Sequence, residues 1–136
     1  MSARRLVVNV DGGARGNPGP AAIAAVVTDP NGDVVEERSE SIGPATNNVA
    51  EYRALLLGIA RARALGADEV ELVGDSELIV KQVRGEYRVK DAGLKDLHKR
   101  VQGELEQFNA WSIRHVRREA NEHADQLVNE TLDAAD

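Results

Sequence analysis

The sequence predicts an α/β fold built on a five-stranded mixed sheet. The first three strands are antiparallel neighbours, the last two run parallel to the first, and helices flank the sheet. Two observations lead there. The first third of the chain holds three apolar, strand-length runs separated by glycine- and proline-rich turns. From Val49 the hydrophobic period then lengthens to that of a helix, and the two later strand-like runs are each separated by helical stretches, the pattern of crossover connections. At 136 residues the chain fits one domain, expected to span 1–136.

Residues 4–10 form a valine-rich strand ended by Asp11-Gly12-Gly13. A turn follows through Gly16-Asn17-Pro18-Gly19-Pro20, where glycine and proline punctuate regular structure. Ala21 to Thr28 is a second strand, rich in small residues, and Asn31-Gly32 is a strong hairpin signal. Residues 33–42 are a third strand that exposes Glu36, Arg38 and Glu40. Tyr52, Leu55, Leu56, Ile59 and Ala62 recur at helical spacing over Val49 to Leu65. Asn48 with Glu51 three residues later fits a reciprocal cap at the start of this helix, and Gly66 can end it. Glu69 to Val73 is a short strand, and Asp75-Ser76 opens a short helix ending near Gly85. A further helix runs from about Asp91 to Phe108, with Leu94, Leu97, Val101, Leu105 and Phe108 on one stripe. Trp111 to Val116 is the last strand, with Trp111 expected in the core, and Asn121 to Leu132 the last helix.

Composition narrows the function classes. Cysteine is absent, which excludes a disulfide framework and a thiolate metal site. No charged leader with an apolar segment and cleavage site opens the chain, and no apolar run is long enough to span a bilayer. A soluble cytoplasmic protein without membrane association is the expectation. The net charge of -6 argues mildly against a nucleic-acid partner. Its distribution argues the other way. Lys81, Arg84, Arg88, Lys90, Lys95, Lys99 and Arg100 form a basic stretch, and Arg114, Arg117 and Arg118 surround His115. Within a Debye length of about 8 Å the local field outweighs the global sign.

Four acids fall at corresponding points of the predicted topology. Two hairpins make the third strand parallel to the first, so the following helix starts at the edge where Asp11 lies. That places Glu51, in its first turn, nearby. A right-handed crossover returns the fourth strand parallel to the first, with Asp75 just past its end. The fifth strand brings the start of the last helix, and Asp125, to the same rim, the usual ligand edge of an open α/β sheet. Each acid has an ordinary explanation: a turn residue for Asp11, a cap for Glu51, a cap for Asp75, a helix-dipole partner for Asp125. Those explanations do not account for their convergence. Close carboxylates need protons or cations, and an all-oxygen set suits Mg²⁺ or Mn²⁺. Two such ions could clamp a scissile phosphodiester.

At these residues the chain resembles the type 1 ribonuclease H family, in its short bacterial and archaeal form. The matching pieces are Asp11 through Pro20, Thr46-Asn47-Asn48-Val49-Ala50-Glu51, Gly74-Asp75-Ser76 and Asn121-Glu122-His123-Ala124-Asp125. The resemblance implies a ribonuclease H-like fold and an endonuclease that hydrolyses the RNA strand of RNA–DNA hybrids. Asp11, Glu51, Asp75 and Asp125 match the four metal-binding acids, which hold two Mg²⁺ or Mn²⁺ ions. Asn17, Asn47 and Asn48 match positions that contact the hybrid in its minor groove, with Gly12 allowing close backbone approach and Thr46 near a DNA-strand phosphate. Double-stranded RNA and RNA–DNA junctions are further candidate partners, and a monomer is expected.

The chain departs from the family pattern in three places. Where some members carry a mobile glycine-flanked loop with a histidine, it has His115 through Asn121 without glycine. His115 either aligns with that histidine or closes the fifth strand, and His123 is read as a surface helix residue. The basic, Trp-containing handle is missing, and the stretch from Lys81 to Arg100 is either a weaker grip on substrate or a solvated helix face. Gly13-Ala14 stand where many members have Ser-Cys. A binding module without catalysis, or a DNA nuclease on the same fold, are the competing readings.

Overall fold

The computed structural model describes residues 4–135. Its strands are β1 (Arg5–Ala14), β2 (Gly19–Thr28), β3 (Val34–Ala45), β4 (Glu69–Gly74) and β5 (Ala110–His115). Its α-helices are α1 (Asn47–Ala64), α2 (Glu77–Val83), α3 (Ala92–Leu105) and α4 (Glu122–Ala135), the last preceded by a 3-10 turn at Arg118–Asn121. The five strands form one sheet in the order β3-β2-β1-β4-β5. β1 pairs antiparallel with β2 and parallel with β4, β2 pairs antiparallel with β3, and β4 runs parallel to β5. This is the mixed sheet that the sequence predicts. Among the described residues no helix is long and apolar enough to cross a membrane.

Helices cover both faces. Leu6, Val8 and Val10 of β1 and Ala21, Ile23, Ala25 and Val27 of β2 share the large core with α1, α2 and α3. Ala22 and Ala24 point the other way and pack with Val128 and Leu132 of α4. Alternating direction along a strand explains how one run feeds two cores. The alanines let helices approach both faces closely. Gly58 serves the same end in α1, because a Cβ there would lie 2.8 Å from methyls of both Val8 and Val10.

β1 continues four residues beyond the predicted end at 10, so Asp11 lies inside a strand and not in a turn. The hairpin pairing holds it there, with Asp11 opposite Ala24 and Ala14 opposite Ala21. The start of α1 also differs. Thr46 is the N-cap, its Oγ accepting from Val49 N at 3.2 Å, so neither Asn48 nor Glu51 caps this helix. Its end behaves as expected: Gly66 adopts φ +84, and Gly66 N and Ala67 N bond back to the Arg63 and Ala62 carbonyls. Trp111 is 37% exposed and outside the core, because β5 is the sheet's edge and Ile113 is its one buried residue.

Candidate active site

Each acid arrives on a different element. Asp11 comes from β1, Glu51 from the first turns of α1, Asp75 from the residue after β4, and Asp125 from the first turn of α4. Asp11, Glu51 and Asp75 each offer one carboxylate oxygen, and these oxygens lie within 4.8 Å of one another. Asp125 stands outside that tight trio yet interacts with the Asp11 carboxyl and lines the same open cleft of about 470 Å³.

The access of Glu51 to Asp11 depends on Gly12. A Cβ at that position would run into the Ala50 carbonyl, so only glycine lets the start of α1 lie against β1. The Gly12 N–H then donates to Glu51 Oε1 at 3.1 Å. Gly12 is buried, and the close approach it permits is that of the α1 backbone.

Electrostatics follow from the crowding. Asp11 and Glu51 are 6% and 8% exposed. Burial, then the charge of Asp75, pushes the Asp11 carboxyl from 3.8 up to about 7, against a lowering hydrogen bond with Glu51. Burial, then Asp11, raises Glu51 well above the ordinary carboxylate range, offset in part by the Gly12 N–H. Among the described residues none of the ion pairs involves these four acids. Countercharge must therefore come from protons or bound cations. Three carboxylate oxygens this close, with no sulfur or nitrogen ligand among them, fit a hard divalent ion.

Beside the acids, the asparagines interlock. Asn17 Oδ1 accepts from Asn47 N at 3.0 Å, and Asn47 Oδ1 accepts from Ala14 N at 2.9 Å. These bonds tie the turn before β2 to the end of β1 and the start of α1. Both side chains spend their carbonyl oxygens this way, and both are exposed. Asn47 and Asn48 line the cleft. Thr46 is engaged as the α1 cap.

The histidines lie elsewhere. His115 is the exposed last residue of β5. His123 pairs with Glu37 of β3 at 2.6 Å. Arg118, Asn129 and Asn121 are among the cleft-side residues that the sequence did not mark as site candidates. Arg118 and Asn129 line the cleft, and Asn121, 2% exposed, donates to Asp75 Oδ2 at 3.3 Å. A polar residue just ahead of an amphipathic helix was the available signal for Asn121. Asn129 lies one helical turn after Asp125, which was the signal for it.

The profile of the family described as "Reverse transcriptase-like" matches residues 9–131. Ribonuclease HI of Halobacterium salinarum is 46% identical over 131 residues, covering 96% of this chain and 66% of that protein. The crystal structure of RNase H1 from that archaeon superposes with a TM-score of 0.94 at 45% identity, covering 96% of this chain and 98% of that one. The chain belongs to the ribonuclease HI family. The N-terminal RNase H domain of Rv2228c from Mycobacterium tuberculosis, solved as a fusion with maltose binding protein, gives a TM-score of 0.94 at 42% identity, covering 98% of this chain and 96% of that one. The chain spans 36% of the full bifunctional protein Rv2228c. LC11-RNase H1 solved in complex with an RNA/DNA hybrid gives 0.91 at 43% identity, covering 96% of this chain and 98% of that one. The sheet order described above is that of the ribonuclease H-like fold.

Proposed function

We propose that this ribonuclease HI homologue hydrolyses the RNA strand of RNA–DNA hybrids, leaving 5′-phosphate and 3′-hydroxyl ends. The observation that carries the reading is the convergence of Asp11, Glu51 and Asp75 oxygens within 4.8 Å at one wall of an open cleft. A relative in the same family has been solved on an RNA/DNA hybrid.

Asp11, Glu51, Asp75 and Asp125 would hold a pair of Mg²⁺ or Mn²⁺ ions. Asp11 interacts with each of the other three, so any cation held by the set would lie beside it. When bound, the ions supply Lewis-acid charge neutralisation at the phosphodiester and an activated water at neutral pH. In the reaction the water oxygen bonds to phosphorus, the P–O3′ bond breaks, and the 3′ oxygen takes up a proton. The protein's own part is orientation. Asn17 and Asn47 use their carbonyl oxygens internally and keep their amide NH₂ groups for acceptors such as the ribose 2′-hydroxyl. Contacts of this kind read sugar and groove shape, so little sequence preference is expected.

The test is cleavage of labelled RNA–DNA hybrid, duplex RNA, duplex DNA and a single-ribonucleotide junction, side by side with Mg²⁺ or Mn²⁺. Cutting confined to the RNA strand of the hybrid is the expected result. A hybrid that is retarded on a gel but left intact would make the protein a binding module, and equal cutting of all-DNA duplex would make it a DNA nuclease.

A further inference from the structure

Asn121 closes the 3-10 turn ahead of α4 and is 2% exposed. A polar side chain that deep requires partners for its atoms. Asn121 Oδ1 accepts from Asn9 Nδ2 at 3.0 Å. Asn121 Nδ2 donates to the Val10 carbonyl at 2.9 Å and to Asp75 Oδ2 at 3.3 Å. One amide thus touches the backbone just before Asp11 and the carboxylate of Asp75, and it lies four residues before Asp125.

We propose that Asn121 is a positioning residue that fixes the rotation of the Asp75 carboxylate relative to Asp11, and that Asn9 sets the direction of its amide. The chemistry allows one arrangement. With Nδ2 toward Val10 and Asp75, a donor meets two acceptors. With the amide turned over, Oδ1 would face a carbonyl and a carboxylate, three acceptors together. The Asn9 donor meets Oδ1 and holds the productive sense. Asn9 and Asp11 lie two apart on β1 and so share a face, which puts the orienting group and the cluster on the same side of the sheet. The bond to Val10 alone would suffice to pin the turn to the sheet. The bond to Asp75 and the one from Asn9 are what a merely structural role leaves unexplained.

This inference rests on the acids binding divalent ions, as proposed above. It is tested on the full chain by calorimetric titration with Mn²⁺ without nucleic acid, alongside circular dichroism and steady-state hybrid cleavage. Residues that orient ligating carboxylates change metal affinity by about 10–100-fold when removed. Asn121→Ala is therefore expected to weaken Mn²⁺ binding about tenfold. It should lower kcat with hybrid KM within about twofold, and excess Mn²⁺ should restore part of the lost rate. Asn9→Ala leaves both Asn121 donor contacts in place and should give the same pattern at about a third of the size. Asn121→Asp, which exchanges the donor for an acceptor, should exceed Asn121→Ala. A folded Asn121→Ala protein with wild-type Mn²⁺ affinity and metal dependence overturns the inference. If that variant does not fold, an Asn9→Ala protein identical to wild type in both readouts overturns it instead. Wild-type protein that binds no Mn²⁺ would mean that the cluster itself had been misread.

Discussion

The Gly12 N–H meets the Glu51 carboxylate at 3.1 Å because position 12 has no side chain to keep α1 off β1. Gly12→Ala is expected to lose both stability and activity. The added methyl would strike the backbone carbonyl of Ala50, which cannot swing aside as a flexible side chain would. Overpacking of this kind costs about 1–3 kcal/mol, read as a lower urea midpoint at unchanged slope. Activity per folded molecule should fall as well, because relief of the clash moves Glu51 away from Asp11. Loss of activity that merely tracks the folded fraction would argue against the second claim.

Asp11→Asn separates stability from function. Without divalent ions, burial and then the neighbouring charge of Asp75 raise the Asp11 carboxyl from 3.8 to about 7. A folded value above the unfolded one means that the folded state holds the proton more tightly. The ionised group therefore destabilises the fold above about pH 7, and the penalty disappears as pH falls toward 4. Asn carries no charge, so the variant should melt higher than wild type at pH 8 in chelator, with the difference gone near pH 4. Mg²⁺ at pH 8 should raise the wild-type midpoint and leave the variant nearly unmoved, while hybrid cleavage by the variant is abolished. A variant that melts below wild type at pH 8 in chelator would contradict this electrostatic account.

The sheet was legible because alternating apolar residues, turn chemistry and crossover handedness all agree over β1 to β5. The rim that gathers Asp11, Glu51 and Asp75 follows from that topology alone. What sequence could not show was the local means of closing the gap. Thr46, Asn48 and Glu51 are all plausible at a helix start, and only the packing of α1 on Gly12 turns Glu51 inward and leaves the cap to Thr46. Trp111 looked like core because tryptophan in a strand usually is, but position within a sheet is decided by strand order, and β5 is an edge. Asn121 was invisible as a positioning group because its partners, Asn9, Val10 and Asp75, come from the far side of the chain.

Glu36 predicts a separate response to acid, away from the cleft. Its Oε1 accepts from Arg61 Nε at 2.6 Å and Arg38 Nε at 2.7 Å, and its Oε2 from Arg61 Nη2 at 3.1 Å. The Arg61 bonds, with Arg38 adding to them, hold its pKa below the ordinary 4.5. A lowered folded value stabilises the protein above the unfolded value, and the contribution is lost as pH falls through the folded one. Glu36→Gln should cost about 0.5–1 kcal/mol at pH 7. The gap to wild type should close in strong acid. A gap that persists there would assign the loss to packing instead of charge.

Asp125 differs from the other three acids in both position and support, and the difference is measurable. It lies outside the trio, half-buried, on a helix whose far end Arg15 holds through Asp133 at 2.6 Å. Its neighbour one turn on, Asn129, donates to Asp125 Oδ2 at 3.5 Å, a long bond that leaves the carboxylate more freedom than Glu51 has. A cation attracted by the trio alone does not need it. Asp125→Asn should thus keep one Mn²⁺ site near wild-type affinity and lose a second, weaker one. Asp75→Asn should damage the tighter site. Loss of several kcal/mol of charge stabilisation corresponds to a rate drop of about 10²–10³-fold for Asp125→Asn on the hybrid. If calorimetry finds that Asp125→Asn and Asp75→Asn weaken the same single site equally, the four acids act as one shell, and the division between trio and outlier has no consequence for binding.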